Sequence, residues 1–178
     1  MNIYFAGTPK SAAEILESLA LNDLFSIKGV ITQPDKKGKR GNQRIESPVS
    51  LMAKSLNLQT FKPHNLAKEE IQNDFDITNA DVLVVVAYGN LIPTWILESN
   101  IKAINIHYSL LPSYRGASPI QSSLLNNDKK TGVTFMQMSE DLDAGKVIKC
   151  FEVPINNNDN KSSLEKKLTK LSILNLEK

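Results

Sequence analysis

The sequence predicts an α/β fold: an open, mostly parallel, Rossmann-like sheet with helices on both faces. Three observations predict it. Strand-like and helix-like segments alternate along most of the 178 residues, the pattern that builds a parallel sheet through helical crossovers. The run Val82–Ala87 is continuously apolar, as in a central strand covered on both faces. The N-terminus reads strand, turn, helix: Asn2–Ala6 stops at Gly7, Thr8 and Pro9, and Ala12, Ala13, Ile15, Leu16 and Leu19 then recur at helical spacing. Gly7 is expected to permit the tight turn and a close backbone approach.

The remaining elements follow in order. Ile27–Thr32 is a second strand. Beyond a polar loop, Ser47 and Pro48 form an N-cap and first-turn pair opening a helix to about Leu56. A short strand at Gln59–Phe61, a charged helix over Ala67–Phe75, the Val82–Ala87 strand and a buried strand at Ala103–His107 come next. Pro119–Leu125 is a helix, and Gly132–Met138 and Lys146–Val153 are strands. Ser162 and Glu165 make a capping-box pattern, and Leu164, Leu168, Leu171 and Leu174 form a stripe running to the end of the chain. No Gly or Pro closes that helix, so residues 1–178 are expected to be one domain at the front of a longer polypeptide.

Composition narrows the function classes. The hydrophobic fraction of 41% and charged fraction of 22% are ordinary for a globular domain. A net charge of +2 is too small for a protein that binds nucleic acid with its whole surface, so any such contact is local. No apolar run reaches the roughly 18 residues of a membrane span, and the start lacks a signal-peptide pattern. A cytoplasmic monomer without membrane contact is expected. Cys150 is the only cysteine and His64 and His107 the only histidines, so no common zinc cage can form and no metal is expected. Cys150 reads as a small buried hydrophobe and His64 as a solvated loop residue.

Chemistry concentrates at one strand end. Alternation in Ile104-Asn105-Ile106-His107 puts Asn105 and His107 on one face, at the carboxyl end of a strand, where open α/β sheets bind ligands. The following loop, Ser109-Leu110-Leu111-Pro112-Ser113-Tyr114-Arg115-Gly116, either folds onto its own domain or walls a flat, partly apolar ligand beside His107. Asp143, in the turn Asp141–Gly145, is either a solvated turn residue or, if the fold brings it to His107, the group that orients the imidazole. Ser109 could serve a hydrolase, but no G-x-S-x-G elbow surrounds it. Gly7 supplies one glycine of the dinucleotide fingerprint, a weak signal. The loop Lys36–Arg44 carries five basic side chains in nine residues, Lys36, Lys37, Lys39, Arg40 and Arg44; they are either solvated or aimed at phosphates.

Asn105-Ile106-His107, Ser109–Pro112, Tyr114-Arg115-Gly116 and Leu142-Asp143-Ala144-Gly145 together resemble the signature of the 10-formyltetrahydrofolate-dependent formyltransferases. The resemblance implies that Asn105, His107 and Asp143 are catalytic and that 10-formyltetrahydrofolate is the donor, with no metal. Phe5–Pro9, Thr32–Asp35, Val85–Gly89 and Gly132–Met138 are most similar to the branch whose acceptor is initiator methionyl-tRNA. For that branch the resemblance implies that Lys36, Lys37, Lys39, Arg40 and Arg44 meet the acceptor stem, Arg40 foremost. It also implies that Tyr88, Gly89, Asn90, Leu91 and Ile92, with Ser109, Leu110, Leu111 and Pro112, border the folate. It covers nearly the whole chain but not the family's basic C-terminal β-barrel domain, which helps hold tRNA. Small amine acceptors, an amino sugar nucleotide or glycinamide ribonucleotide, are the rivals within the family, and a folate- or RNA-binding module without catalysis is the rival outside it.

Overall fold

The computed structural model describes residues 1–38, 44–66 and 79–177. The helix expected over Ala67–Phe75 lies outside the described residues, as do Lys39 and Arg40. The fold class is α/β, Rossmann-like and mostly parallel, as the sequence predicts. The chain divides into two compact units, Met1–Ala103 and Ile104–Lys178.

In the first unit, β1 (Asn2–Gly7), β2 (Ser26–Ile31), β5 (Thr60–Phe61) and β6 (Val82–Val86) lie in the order β5-β2-β1-β6, all parallel. Every residue of β6 is buried, which explains its uninterrupted apolar sequence. It ends one residue before Ala87, which takes φ +45 and turns the chain out of the sheet. Helix α1 (Lys10–Ala20) buries Ala12, Ala13, Ile15, Leu16 and Leu19, and each large aliphatic side chain so removed from water stabilises by about 1.5–3 kcal/mol. A Cβ on Gly7 would stand 2.8 Å from the Ala12 Cβ and 3.0 Å from the Val86 carbonyl, so α1 approaches the sheet as closely as it does because that position lacks one.

Helix α2 (Pro48–Ser55) starts as expected, with Ser47 Oγ accepting from the Ser50 N–H at 3.0 Å. Its stop signal is an asparagine: Asn57 takes φ +54, its N–H donates to the Lys54 carbonyl, and the Leu58 N–H donates to that of Ala53. This is the paired Schellman pattern that closes a helix. The basic segment is not a plain loop. Its ends form an antiparallel pair, β3 (Lys36–Lys37) with β4 (Arg44–Ile45), that pairs Lys36 with Ile45 and Lys37 with Arg44. A single helical turn, α3 (Thr94–Leu97), follows Pro93.

The second unit takes up β7 (Lys102–His107) from Ile104 onward; β8 (Lys130–Gln137) pairs antiparallel with β7, and β9 (Val147–Pro154) pairs antiparallel with β8. The expected largely parallel pattern therefore stops here: β8 and β9 are joined by a turn, and a short connection returns the chain antiparallel. Most of β9 is exposed, and with it Cys150, contrary to the buried reading. Apolar content within a strand did not distinguish a covered strand from one paired on one side only. Helix α4 (Pro119–Leu125) closes on Asn127 at φ +53 with the same bond pair as α2, Asn127 to Leu124 and Asp128 to Ser123.

Helix α5 (Lys161–Ile173) is capped by Asn160 and Ser163 rather than by Ser162 and Glu165. The Asn160 side chain takes the Ser163 N–H and the Ser163 hydroxyl takes the Asn160 N–H, each at 3.0 Å. Asn is as good a cap as Ser, and its place after the Asn-rich turn decides the frame. The helix ends at Ile173, so Leu174 lies past the stripe and is exposed.

Candidate active site

Three of the sequence-selected residues come together in the second unit. Asn105 and His107 project from one face of β7, as alternation requires, while Asp143 reaches them from the turn between β8 and β9. Asn105 Nδ2 donates to Asp143 Oδ1 at 3.2 Å. Asp143 Oδ2 lies 3.6 Å from His107 Nδ1 and accepts the Gly116 N–H at 2.7 Å. The His107 and Asp143 side chains are only 7% and 9% exposed, so the contact is shielded from solvent and salt.

The turn that delivers Asp143 is tightly specified. Asp143 takes φ +48, a left-handed conformation that Asp tolerates better than most residues. Two residues on, a Cβ at Gly145 would collide with the Gln137 carbonyl. The sequence Leu-Asp-Ala-Gly thus joins a residue that accepts the bend to one that fits beneath it.

The loop after β7 is pinned by its own polar groups. Thr134, opposite His107 in the β7–β8 register, donates through Oγ1 to the Ser109 carbonyl at 2.7 Å and accepts the Leu111 N–H at 3.1 Å. The Ser109 hydroxyl is buried and donates to the Ser113 carbonyl at 2.6 Å. That commitment removes the hydrolase reading's nucleophile. Leu110 and Leu111 are half-buried and Pro112 is exposed, with a cis Leu111–Pro112 peptide between them.

His107 Nε2 donates to the Tyr114 carbonyl at 3.0 Å. One edge of the ring is thus anchored on backbone and the other faces the carboxylate. The Tyr114 hydroxyl donates to Asp128 Oδ2 at 2.7 Å and accepts from Asn126 Nδ2 at 3.0 Å. The hydrogen bond to Asp128 holds the phenol above its ordinary range. The sequence marks Tyr114 as an aromatic loop residue and gives no sign of these partners: the role of Thr134 comes from strand register, and those of Gly116 and Asp128 from how a loop and a turn fold back.

In the first unit, the stretch expected to border folate follows β6. Tyr88 is buried, its carbonyl accepts from Thr8 Oγ1 at 2.8 Å, and its hydroxyl has no hydrogen-bond partner among the described residues. Burial pushes that phenol up. Gly89 takes φ +88, Asn90 Oδ1 accepts from Gln33 Nε2 at 3.4 Å, Leu91 is exposed and Ile92 is buried. Lys36, Lys37 and Arg44 stand on the hairpin stem, where both strands are exposed. His64 is exposed, as expected. Among the described residues no group of His, Cys, Asp and Glu could hold a metal ion, and no helix is long and apolar enough to cross a membrane.

A side-chain amide, an imidazole and a carboxylate gathered at a strand end offer a hydrogen-bond donor and two acid–base groups side by side. The comparisons with known proteins agree on the class. The chain belongs to the formyl transferase family, which matches residues 1–175. Solved structures similar to it include phosphoribosylglycinamide formyltransferase from Anaplasma phagocytophilum, at 23% identity and TM-score 0.76, over 97% of this chain and 81% of that one. Glycinamide ribonucleotide transformylase 1 from Symbiobacterium toebii aligns at 16% identity and TM-score 0.78, over 99% and 84%. The Campylobacter jejuni phosphoribosylglycinamide formyltransferase aligns at 25% identity and TM-score 0.71, over 97% and 90%.

Proposed function

We propose that this protein transfers a formyl group from 10-formyltetrahydrofolate to the amino group of initiator methionyl-tRNA, with Asn105, His107 and Asp143 carrying the chemistry. The observation that bears most weight is the convergence of those three side chains on hydrogen bonds and an ion-pair contact. The amine nitrogen bonds to the formyl carbon, the carbon–nitrogen bond to folate breaks, and one proton passes from the attacking amine to the departing nitrogen. The tetrahedral intermediate between these events carries an oxyanion.

Asn105 spends one amide N–H on Asp143, leaving the other for the oxyanion; a donor of this kind typically lowers the barrier by about 3–4 kcal/mol. His107, when protonated, adds positive charge beside the same oxygen. Asp143 orients both groups and is the nearest base for the proton lost by the amine. Ser109–Pro112 in the second unit is proposed to meet the donor's flat ring system, and Tyr88–Ile92 in the first unit is separately a candidate folate contact. What supports this is the exposed Leu91, the half-buried Leu110 and Leu111, and a backbone fixed by Thr8 and Thr134.

The basic hairpin supports the tRNA acceptor. Lys36, Lys37 and Arg44 are exposed on its stem, and clustered cations of this kind suit a phosphate backbone. A second reading, with glycinamide ribonucleotide as acceptor, draws support from the names of the similar structures. Offering both acceptors to the same preparation separates the two. The tRNA reading expects formyl-methionyl-tRNA, with salt-sensitive binding that weakens in Arg40→Ala while folate binding persists. Formylation of the nucleotide alone, unaffected by Arg40→Ala, overturns it.

A further inference from the structure

We infer that the Tyr114–Asp128 hydrogen bond is a positioning device for His107, acting through the Tyr114 main-chain carbonyl. Tyr114 is anchored at both ends of its length. Its carbonyl takes the His107 Nε2–H at 3.0 Å, and its hydroxyl reaches Asp128 at 2.7 Å and Asn126 at 3.0 Å. Between these anchors the backbone adopts φ +56, a conformation unfavourable for a bulky residue. Such a backbone persists where surrounding contacts over-determine it. The contacts here come from the C-terminal turn of α4, itself locked by the Asn127 and Asp128 N–H groups on the Leu124 and Ser123 carbonyls.

The carbonyl's direction depends on that backbone conformation. If the hydroxyl anchor is lost, the peptide is free to relax toward ordinary φ, and the carbonyl swings away from the imidazole. His107 then keeps only its 3.6 Å contact to Asp143 and loses the bond that sets its ring plane. Small misplacements of a reacting group cost about ten- to hundredfold in rate, so Tyr114 can govern turnover through the imidazole it orients.

The inference rests on the proposed role of His107, and its test includes a readout independent of catalysis. The chain has only two histidines, so the nitrogen-15 and Nε2-proton resonances of His107 can be separated from those of His64 with a His64→Gln variant. In Tyr114→Phe and Asp128→Ala, the His107 Nε2 proton is expected to exchange faster and its resonance to move, with kcat falling about tenfold or more and the KM for donor little changed. Asp128→Asn keeps an acceptor for the hydroxyl and is expected to restore most of both signals. A lowered Tm with unaltered His107 resonances in Tyr114→Phe and Asp128→Ala overturns the inference. Altered resonances in a protein that transfers no formyl group leave the positioning device standing and defeat only the proposed reaction. Should Tyr114→Phe not fold, the Asp128→Ala and Asp128→Asn pair decides the question by the same resonances.

Discussion

Replacing Asp143 with Asn tests the site with the least disturbance elsewhere. Asn tolerates the left-handed conformation that Asp143 adopts at φ +48, so the backbone is not the source of any effect. The carboxylate takes the Gly116 N–H on one oxygen and the Asn105 amide on the other. An asparagine has one oxygen to offer and a donor in place of the second, so one existing N–H meets another donor. If the new oxygen faces Gly116, Asn105 recovers a bond only by flipping its amide, which turns its donor away from the oxyanion position. One frustrated buried hydrogen bond costs about 1–3 kcal/mol of stability. Under the proposed role of Asp143 as base and orienting charge, the substitution is expected to lower kcat by roughly 10²–10⁴, or about 3–5 kcal/mol of barrier. Thermal melts and steady-state formyl transfer measured on the same samples separate the two costs. A variant with lowered Tm but kcat within threefold of wild type refutes the reasoning and leaves Asp143 a scaffold residue.

Three further outcomes follow from the structure. Gly145→Ala drives a methyl into the Gln137 carbonyl, and the overpacking is expected to cost about 1–3 kcal/mol in denaturant titrations while displacing Asp143 enough to lower kcat. Asp159 accepts from Lys167, the Asn156 N–H and Ser163, which together lower its carboxyl from 3.8 to about 2. A lowered folded-state value stabilises the fold above the unfolded value and loses that effect as pH falls through the folded one, so the Tm gap between wild type and Asp159→Asn should be full above about pH 4 and close toward pH 2. Lys62 donates to Asp35 and Glu46, the residues that immediately flank the two strands of the basic hairpin; Lys62→Met is expected to lower Tm by roughly 2–4 °C at low salt, less at high salt, and to raise KM for tRNA more than for donor.

Much of the fold was legible because its signals are local. The Ser47-Pro48 helix start, the all-apolar β6 and the Asn105/His107 alternation each need only a few neighbouring residues to be read, and each is found where expected. The misreadings share a different cause. The exposure of Cys150 depends on which strand pairs with which, information that no local pattern carries. The α5 cap went to Asn160 over Ser162 because several good cap residues stand within one turn and the preceding Asn156–Asn160 turn selects among them. The site divides similarly. Asn105 and His107 could be paired from strand period alone, whereas the approach of Asp143 rests on a turn following β8, and Tyr114's hold on His107 runs through a main-chain carbonyl, which any residue type would supply.

The most direct test of the central claim is formyl transfer from 10-formyltetrahydrofolate by wild type, by Asn105→Ala, His107→Ala and Asp143→Ala singly, and by the triple variant, at equal concentrations of folded protein. Side chains that act as one unit are non-additive. The expected result is a large loss in each single variant and a triple variant scarcely worse than the worst of them. Single variants that each retain a rate within threefold of wild type, in protein that still binds the donor, contradict the account.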